Sequence, residues 1–344
     1  MSGELFESVR LKEDGTAVIL LDQTALPNDI RFVELRRDDE FYNAIAMLKV
    51  RGAPAIGIFA AFALFVSCRG SHDKEREAFF AALEGFSARL CSARPTAANL
   101  KKQLDRMVKI AHSLDGTPTP HILGAMREEA LAIQREEKET CRIISENGLE
   151  LIRDGFGILT HCNAGPIATA GYGTGLGPIL LAHERGLHLS IYCDETRPLM
   201  QGARLTVFEL MRAGLDCTLI CDNMASSLMK DGKIDAVFTG CDRVARNGDT
   251  ANKIGTNGLA VLARHYNIPF YIFCPTSTLD PECATGADIE IEQRPASEIT
   301  HMFFDKPVAP PGVKCYNPAF DVTDNSLITA IITENGVHRT PYDF

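Results

Sequence analysis

From about residue 155 onward the sequence alternates short apolar runs with amphipathic stretches, and this alternation constrains the fold more than any other feature. The candidate strands are GFGILTHCN, LHLSIYCDE, DCTLICDN, DAVFTGCD and FYIFCPT, and the stretches LGPILLAHERG, RLTVFELMRAG and LAVLARHYN separate most of them. Apolar strands separated by helices are typical of a parallel sheet that is covered on both faces. The sequence therefore predicts an α/β fold with a doubly wound parallel sheet.

Each of these candidate strands ends in a polar residue. The residues concerned are Asn163, Asp194, Asp222, Asp242 and Thr276. Ligands of open α/β sheets bind outside the carboxyl ends of the strands, so the pattern predicts a polar cleft at that edge. The alternative is that such residues cap the helices that follow, and capping explains some of the five.

The first half of the chain has a different organisation. The runs AVILLD and DIRFVEL predict two strands joined by a turn at residues 26–29, and several helices follow. Pro118 and Pro120 mark a break before a long helical stretch over residues 122–153. A chain of 344 residues is long enough for two domains. We therefore predict an N-terminal α+β domain with a helical linker over residues 1–150 and a second domain over residues 151–344.

Composition and charge argue against several classes of partner. The formal net charge of −10 disfavours nucleic acid and anionic membrane surfaces. The N-terminal segment has no apolar signal core, and the longest apolar run, residues 53–66, is about half the length that spans a bilayer, which predicts a buried helix. The 11 cysteines include no Cys-x-x-Cys pair, which is typical of reduced thiols in a cytoplasmic protein. No cluster has metal-ligand spacing, so no metal is predicted.

The glycine ladder GYGTGLG, residues 171–177, invites a dinucleotide-binding interpretation, but its register does not fit. A G-x-G-x-x-G motif would need glycine where Leu176 or Pro178 stands, and no Walker lysine follows. No nucleotide cofactor is therefore predicted. Two interpretations of the ladder remain: its backbone N–H groups approach an anion, or its glycines allow a helix to pack tightly on the sheet.

Two strand ends carry groups that are suited to catalysis. His161 and Cys162 should point to opposite faces of their strand, which argues against a local Cys–His pair and leaves the thiol at the strand tip. The alternative is an inert core cysteine. In TGCDRVARNGDTANKIGT, Asp242 ends a strand, and Asn252 and Lys253 follow at a predicted helix start. An acid, an amide and an ammonium group so close together suit a phosphosugar, although a solvated polar loop would look similar.

The first domain offers two stretches that could bind an anion. RGAPAIG, residues 51–57, leads from Arg51 into an apolar helix with Pro54 in its first turn. SARPTAANL places Arg94 directly before a proline. Taken alone, such arginines are usually ordinary surface residues.

These motifs together resemble the methylthioribose-1-phosphate isomerases of methionine salvage. RGAPAIG, RPTAANL, LTHCNAG with ATAGYGT, DETRPLMQGARLT, GCDRVARNGDTANKIGT and NPAFDVT occur in the order and at roughly the spacing of that family. The resemblance covers nearly the whole chain from about residue 15, and ARNGDTANKIGT is its most specific part. It implies a small N-terminal domain, a Rossmann-like catalytic C-terminal domain without a dinucleotide, a homodimer and a sugar-phosphate substrate.

The resemblance also implies roles for individual residues. Cys162 matches the family's catalytic cysteine, and Asp242 matches its acid. The substrate-binding motifs fall on Arg51, Gly52, Ala53, Arg94, Gln201, Asn252 and Lys253. Two departures are visible, since Cys241 stands where alanine is usual and Pro166 follows NAG. Neither departure removes a functional group, but both leave room for a changed substrate preference.

The chemistry expected of this family explains the residue types. The anomeric oxygen of an aldose 1-phosphate is esterified, so the ring opens only when its oxygen is protonated by a neutral carboxylic acid. We expect apolar burial to raise the pKa of Asp242 for this purpose. Cys162 would then act as a base that gives an enol phosphate, or would stabilise charge during a direct hydride shift.

Three other functions compete with this interpretation. A ribose-1,5-bisphosphate isomerase would use the same chemistry, and 5-deoxyribose 1-phosphate differs from the expected substrate only by the missing methylthio group. The regulatory subunits of the translation-initiation guanine-nucleotide exchange factor share the fold and only bind. The presence of both Cys162 and Asp242 argues against a regulatory subunit.

Overall fold

The computed structural model describes residues 7–72, 75–95, 97–342 and 344. The chain divides into two compact units. One contains the described residues up to Cys141 together with Pro166–Gly171, and the other contains Arg142–Gly165 and Tyr172–Phe344. A short segment near the start of the second half therefore returns to the first unit. The domain division at residue 150 itself stays a prediction.

The N-terminal unit combines a small antiparallel sheet with helices. Its strands, in the order β1-β2-β3, are β1 (Val9–Leu11), β2 (Val18–Leu21) and β3 (Phe32–Leu35). The helices are α1 (Asp38–Ala46), α2 (Ala53–Arg69), α3 (Arg76–Ser92), α4 (Ala98–Ser113) and α5 (Thr119–Leu149), the last of which continues into the other unit.

Helix α2 is the centre of this unit. Its residues 54–68 are all buried, and it packs against α3 and α4. A helix that is apolar all round is stable only inside a core, because it has no polar face to turn toward water. The prediction that residues 53–66 form a buried helix is confirmed.

The C-terminal unit is built on a seven-stranded sheet. Its elements begin with β4 (Gly157–His161), α6 (Gly177–Glu184), β5 (Ser190–Asp194), α7 (Val207–Arg212), β6 (Cys217–Ile220), α8 (Ala225–Lys230), β7 (Ala236–Gly240), β8 (Arg243–Ala245), β9 (Thr250–Lys253) and α9 (Thr256–His265). They continue with β10 (Phe270–Phe273), β11 (Leu279–Asp280), α10 (Ser297–Thr300), β12 (Phe320–Thr323), β13 (Ala330–Thr333) and β14 (Gly336–His338).

The strand order of this sheet is β14-β13-β10-β7-β4-β5-β6, and the pairs from β13 to β6 are all parallel. From β4 the chain moves outward through β5 to β6, and it then returns to place β7, β10 and β13 on the other side. The direction of winding reverses between β4 and β7, which makes this the topological switch point. The predicted doubly wound α/β fold is confirmed.

Two features of the C-terminal unit were not predicted. Strand β13 extends the parallel sheet beyond the five candidate strands, and a second sheet has the order β11-β8-β9-β12. The second sheet takes up the stretch after Asp242, where a helix start was predicted at Asn252 and Lys253. Its central strand β9 pairs antiparallel with β12, which lies far along the chain.

Candidate active site

The switch point brings two of the predicted catalytic residues to one edge of the sheet. Strands β4 and β7 are parallel neighbours, and His161 lies opposite Thr239. Cys162 follows β4 directly, and Asp242 follows two residues after the end of β7. In doubly wound sheets the crevice at such a point is where ligands bind. The C-terminal unit therefore has a candidate active site at the carboxyl ends of β4 and β7.

Cys162 adopts a backbone conformation that is unusual for any residue except glycine. Its φ angle is +64°, and the residue is only 9% exposed. The N–H of Cys162 donates to Oγ1 of Thr196 at 2.8 Å, and its carbonyl accepts a hydrogen bond from Oγ1 of Thr206 at 2.6 Å. Left-handed conformations in non-glycine residues cost of order 1–3 kcal/mol and persist where the surroundings impose them. Such strain is concentrated at functional sites, which supports a functional role for this thiol.

The loop that braces Cys162 is itself held by Asp222. The N–H groups of Thr196 and Arg197 donate to the two carboxylate oxygens of Asp222, each at 2.7 Å. Oγ1 of Thr196 also donates to the carbonyl of Asp194 at 3.1 Å. Asp222 therefore serves here as a backbone brace.

The loop after Cys162 packs tightly on itself. The amide of Asn163 donates to Oγ1 of Thr206 at 3.2 Å and to the carboxylate of Glu209. Gly173 has a φ of +90°, and a Cβ there would lie 2.6 Å from the Cα of Gly165. Of the two interpretations of the glycine ladder, close packing is the one that these contacts support.

Asp242 does not have the environment that the sequence analysis expected. The residue is exposed, and its N–H donates to the carbonyl of Ala251 at 2.9 Å. Strand β7 ends at Gly240, Cys241 turns toward the core, and the chain then leaves the sheet edge to form β8. The expected apolar burial of this carboxyl group is therefore wrong, because Asp242 lies beyond the buried part of its strand.

Cys241, one of the two departures from the family motif, is not a second nucleophile. It packs against the core of the C-terminal unit. Burial and a hydrogen bond with Cys274 raise the pKa of the Cys241 thiol well above its usual value. A thiol with a raised pKa remains protonated at neutral pH and is unreactive.

Asn252 and Lys253 lie on strand β9 rather than at a helix start, and both are buried. Nδ2 of Asn252 donates to Oγ1 of Thr256 at 3.0 Å. Nζ of Lys253 donates to the carbonyl of Ala319 at 2.7 Å and lies 4.5 Å from the centre of the Phe320 ring. The helix begins only at Thr256, because pairing with β12 keeps residues 250–253 extended.

Gln201 contributes a buried polar group from a different element. It is 2% exposed and precedes a π-helical turn, Gly202–Thr206, that leads into α7. Within the part of the chain that the structure describes, its Oε1 atom is buried and accepts no hydrogen bond. An unsatisfied buried acceptor costs about 1–3 kcal/mol, and π-helical turns are common at functional sites. Both observations are consistent with the binding role that the family resemblance implies for Gln201.

The structure adds one buried pair that the sequence analysis missed. Nδ1 of His161 lies 2.9 Å from Oδ2 of Asp194, and both residues are 1% exposed. Burial lowers the pKa of His161, but the hydrogen bond and charge of Asp194 outweigh it and raise the pKa above its usual value. Burial raises the pKa of Asp194 despite its partner. The pair is therefore a buried hydrogen bond between two groups whose pKa values are both raised.

The fold also brings together three groups that the spacing of the sequence keeps far apart. Donor atoms of His161, Asp194 and Asp222 lie within 4.8 Å of one another. Nδ1 of His161 is already bonded to Asp194, and both oxygens of Asp222 accept backbone N–H groups. We interpret this cluster as a hydrogen-bond network. The absence of a metal stays a prediction.

The remaining predicted site residues belong to the N-terminal unit. Gly52 directly precedes helix α2, and Ala53 is its first residue. Gly52 has a φ of +92°, and a Cβ there would overlap the carbonyl oxygen of Ala168. Arg51 and Arg94 are both partly buried, the latter just after α3. The residues around Arg51 thus form the N-terminus of a long buried helix, where anions are stabilised.

The fold and the site define a class: two-unit α/β proteins with a Rossmann-like sheet that carries a thiol and a carboxyl group at its switch point. The chain belongs to the Initiation factor 2 subunit family, whose model matches residues 49–340. Among the residues that the structure describes, no helix is both long enough and apolar enough to cross a membrane.

The relatives that match nearly the whole chain include proteins with two different names. One is named methylthioribose-1-phosphate isomerase, from Symbiobacterium thermophilum, and is 56% identical over 98% of this chain and 94% of its own length. The other is named 5-deoxyribose 1-phosphate isomerase, from Petrotoga mobilis, and is 52% identical over 97% of this chain and 96% of its own length. The family resemblance inferred from the motifs is confirmed.

Two solved structures are also similar to this chain. The structure of 5-methylthioribose 1-phosphate isomerase from Pyrococcus horikoshii OT3 is 39% identical with a TM-score of 0.91, and the match covers 97% of this chain and 93% of that one. The structure of the translation initiation factor eIF-2B, subunit delta, from A. fulgidus is 39% identical with a TM-score of 0.88, and the match covers 97% and 96%. The fold is therefore shared by proteins that bear the names of an enzyme and of an initiation-factor subunit.

Proposed function

We propose that this protein is an aldose–ketose isomerase that converts 5-methylthioribose 1-phosphate to 5-methylthioribulose 1-phosphate in methionine salvage. The observation that carries the proposal is the placement of Cys162 and Asp242 after two adjacent parallel strands, β4 and β7, at the switch point of the sheet. The 56% identical relative bears the name of this activity. A binding subunit has no need of a thiol and a carboxyl group after two adjacent strand ends.

The proposed reaction needs an acid for ring opening. Asp242 is exposed at the edge of the sheet, so its carboxyl group is accessible to a sugar. A ring that lies over the strand ends would cover this carboxyl group and exclude water from it. We assign Asp242 as the acid that protonates the ring oxygen.

The second step moves a hydrogen between C2 and C1 of the open chain. Cys162 is assigned to this step because its strained backbone fixes the thiol at the end of β4. If the thiolate removes the C2 proton, the intermediate is an enol phosphate and the hydrogen exchanges with solvent. If a hydride shifts directly, the hydrogen is retained and Cys162 stabilises the developing charge. Substrate labelled with deuterium at C2 separates the two, since only proton transfer loses the label to water.

Cationic and backbone donors are assigned to the substrate phosphate. In the C-terminal unit the candidate is Lys253, with Asn252 and Gln201 as polar partners of the sugar. In the N-terminal unit the candidates are Arg51 with the first N–H groups of α2, and Arg94. Charge-assisted hydrogen bonds to a phosphate fix the position of the sugar as well as adding affinity.

A second substrate, 5-deoxyribose 1-phosphate, is favoured by a specific observation. The relative that bears that activity in its name is 52% identical, close to the 56% of the methylthioribose relative. The two substrates share every reacting atom and differ only at C5. The same catalytic pair therefore serves both.

Incubating the purified protein with three sugar phosphates tests the proposed function. These are 5-methylthioribose 1-phosphate, 5-deoxyribose 1-phosphate and ribose 1,5-bisphosphate, with ketose formation followed by NMR. Turnover of the first, with or without the second, is expected. Preference for the bisphosphate would replace the proposed substrate. Binding of a nucleotide or phosphosugar without turnover of any of the three would favour a regulatory subunit.

We also propose that the protein is a cytoplasmic homodimer. The 11 cysteines are present as thiols, which suits a reducing compartment. Large apolar side chains are exposed on the C-terminal unit, including Met211 at 66% and Leu219 at 48%, and a protein interface would cover such groups. Light scattering after size-exclusion chromatography should give twice the chain mass of 37.6 kDa. A monomer across the accessible concentration range would contradict the dimer.

A further inference from the structure

The imidazole of His161 connects two separate segments of the candidate active site. His161 is the last residue of β4 and immediately precedes Cys162. Its Nε2 atom lies 2.9 Å from the carbonyl oxygen of Ile254, which directly follows Lys253. A carbonyl oxygen only accepts hydrogen bonds, so Nε2 carries a hydrogen and donates it. One side chain thus connects the strand end that precedes Cys162 to the turn that follows Lys253.

The turn packs directly against this imidazole. Gly255 has a φ of +107°, and a Cβ at this position would lie 2.9 Å from Cε1 and 3.0 Å from Nε2 of His161. Both the backbone conformation and the space therefore require glycine here. The ring lies so close to the backbone that the turn cannot shift without moving His161.

The far side of the same turn is held by Asp321 of strand β12. Its carboxylate accepts the N–H of Gly255 at 2.8 Å and the N–H of Asn257 at 3.2 Å. The acidic groups that interact electrostatically with His161 are Asp194, Asp222 and Asp321. The turn is thus fixed between a histidine on one side and an aspartate on the other.

This turn determines where the binding residues lie. Oγ1 of Thr256 donates to the carbonyl of Lys253 at 2.7 Å and accepts from Nδ2 of Asn252 at 3.0 Å. Asn252 and Lys253 therefore lie on a segment whose end is anchored by His161 through Ile254. Movement of this anchor would displace both side chains relative to Cys162.

We infer that His161 is a positioning residue, which sets the Asn252–Lys253 segment in register with Cys162 by donating from Nε2 to the carbonyl of Ile254. It is 1% exposed, so it acts through these neighbours rather than by touching the sugar. Asp194 supports it by holding the opposite nitrogen, Nδ1, and so fixes the ring orientation. The inference rests on the proposed function, since it assigns a purpose to the same site.

Two substitutions separate the two hydrogen bonds of the imidazole. An asparagine amide reaches about as far as Nδ1, so His161→Asn keeps the contact with Asp194 and loses the contact with Ile254. A glutamine amide reaches about as far as Nε2, so His161→Gln keeps the contact with Ile254. His265→Asn is the matched control, because His265 is an exposed residue at the end of α9 in the same unit.

We expect substrate affinity to fall in the variant that loses the hydrogen bond to Ile254 and to be largely kept in the variant that retains it. In steady-state assays His161→Asn should raise KM about tenfold or more with a smaller fall in kcat, because misplacement by about 1 Å weakens positioning strongly. His161→Gln should recover most of the affinity. Calorimetric titration of 5-methylthioribose 1-phosphate should show the same order of affinities when each substitution is combined with Cys162→Ala, which prevents turnover. If the two variants have the same KM as wild type, or lose affinity equally, the inference fails.

Hydrogen exchange provides a readout that does not depend on activity. The N–H groups of Gly255 and Asn257 should exchange faster in His161→Asn than in His161→Gln, while exchange in strand β6 should be unchanged. A uniform acceleration in both variants would indicate general destabilisation and would overturn the inference. If wild-type protein turns over none of the three sugar phosphates, the proposed function fails. The hydrogen-exchange comparison then still tests whether His161 holds the turn at Gly255.

Discussion

Cys162 and Thr196 both hold left-handed backbone conformations, with a φ of 64° each, and the N–H of Cys162 donates to Oγ1 of Thr196 at 2.8 Å. They follow two adjacent parallel strands, β4 and β5. Each conformation alone would be unfavourable, and each is held by hydrogen bonds to its surroundings. The strain at Cys162 is therefore part of a braced arrangement that places the thiol at the sheet edge.

Replacing the thiol should abolish most of the activity without unfolding the protein. Cys162→Ala should lower kcat by a factor on the order of 10² or more, as the loss of a catalytic base or charge stabiliser does. The fold should survive because the hydrogen bonds that link Cys162 to Thr196 and Thr206 are made by its backbone. Steady-state kinetics and thermal denaturation measure the two effects. Cys221→Ala, at an exposed cysteine of the same unit, is the control. Activity within a few-fold of wild type would make Cys162 a core residue.

Neutralising Asp242 should separate binding from turnover. Asp242→Asn keeps the size of the side chain but cannot deliver a proton, so turnover should collapse while substrate binding changes by no more than about 1 kcal/mol. Calorimetric titration with substrate, paired with a turnover assay, tests this directly. Asp231→Asn, at an exposed aspartate, should leave both measurements unchanged. A parallel loss of binding and turnover would mean that Asp242 holds the substrate instead of protonating it.

Removing the unsatisfied amide oxygen of Gln201 should lower substrate affinity without lowering stability. Oε1 of Gln201 is buried and accepts no hydrogen bond from the described residues. Gln201→Met, which is similar in shape, should therefore leave the free energy of unfolding unchanged or raise it by about 1 kcal/mol. Affinity for the sugar phosphate should fall about tenfold, since one charge-neutral hydrogen bond is lost. Denaturant titration and calorimetry give the two values. A destabilised variant with normal affinity would show that the amide serves the fold.

Gly52 should not tolerate a side chain. In Gly52→Ala the new Cβ would overlap the carbonyl oxygen of Ala168 in a backbone conformation that disfavours alanine. The free energy of unfolding should fall by about 2 kcal/mol or more. Gly85→Ala is the matched control, because Gly85 lies within α3 with nothing near its Cβ position. That change should stabilise the helix by about 0.5–1 kcal/mol. Similar unfolding curves for the two variants would contradict the assignment.

Metal removal should not affect turnover. Nδ1 of His161 and Oδ2 of Asp194 are hydrogen-bonded to each other, and both carboxylate oxygens of Asp222 accept backbone N–H groups, whereas Oδ1 of Asp194 has no hydrogen-bond partner among the described residues. Prolonged dialysis against EDTA, followed by assay in metal-free buffer, should leave kcat and KM at their starting values. A loss of activity that a divalent ion restores would show that this cluster is a metal site rather than a hydrogen-bond network.

Some features of the fold could be predicted because they depend on local pattern. The apolar runs ending at Cys162 and Asp242 are buried strands in a parallel sheet, and the run over residues 53–66 is a buried helix. Burial on both faces requires apolar residues at every position, so such elements are visible in the sequence itself. The chemistry-bearing residues were found for the same reason, since they interrupt those runs.

The residues after Asp242 were mispredicted because their structure depends on distant partners. Asn252 and Lys253 have no strand-like alternation around them, and they become a strand only by pairing with Asp321 and Phe320 of β12. The pair between His161 and Asp194 escaped prediction for a related reason. The two residues are 33 positions apart, and only the parallel register of β4 and β5 brings them together.

The sequence by itself determined the α/β class, the buried helix, the strand ends that carry Cys162 and Asp242, and the family. All of these follow from apolar periodicity or from motifs of consecutive residues. The tertiary structure decided the strained backbone of Cys162, the exposure of Asp242 and the hydrogen bond from His161 to Ile254. Each of these depends on which strands become neighbours and where they end. That is settled by the packing of the whole sheet, because the free energy of burying it exceeds any local preference.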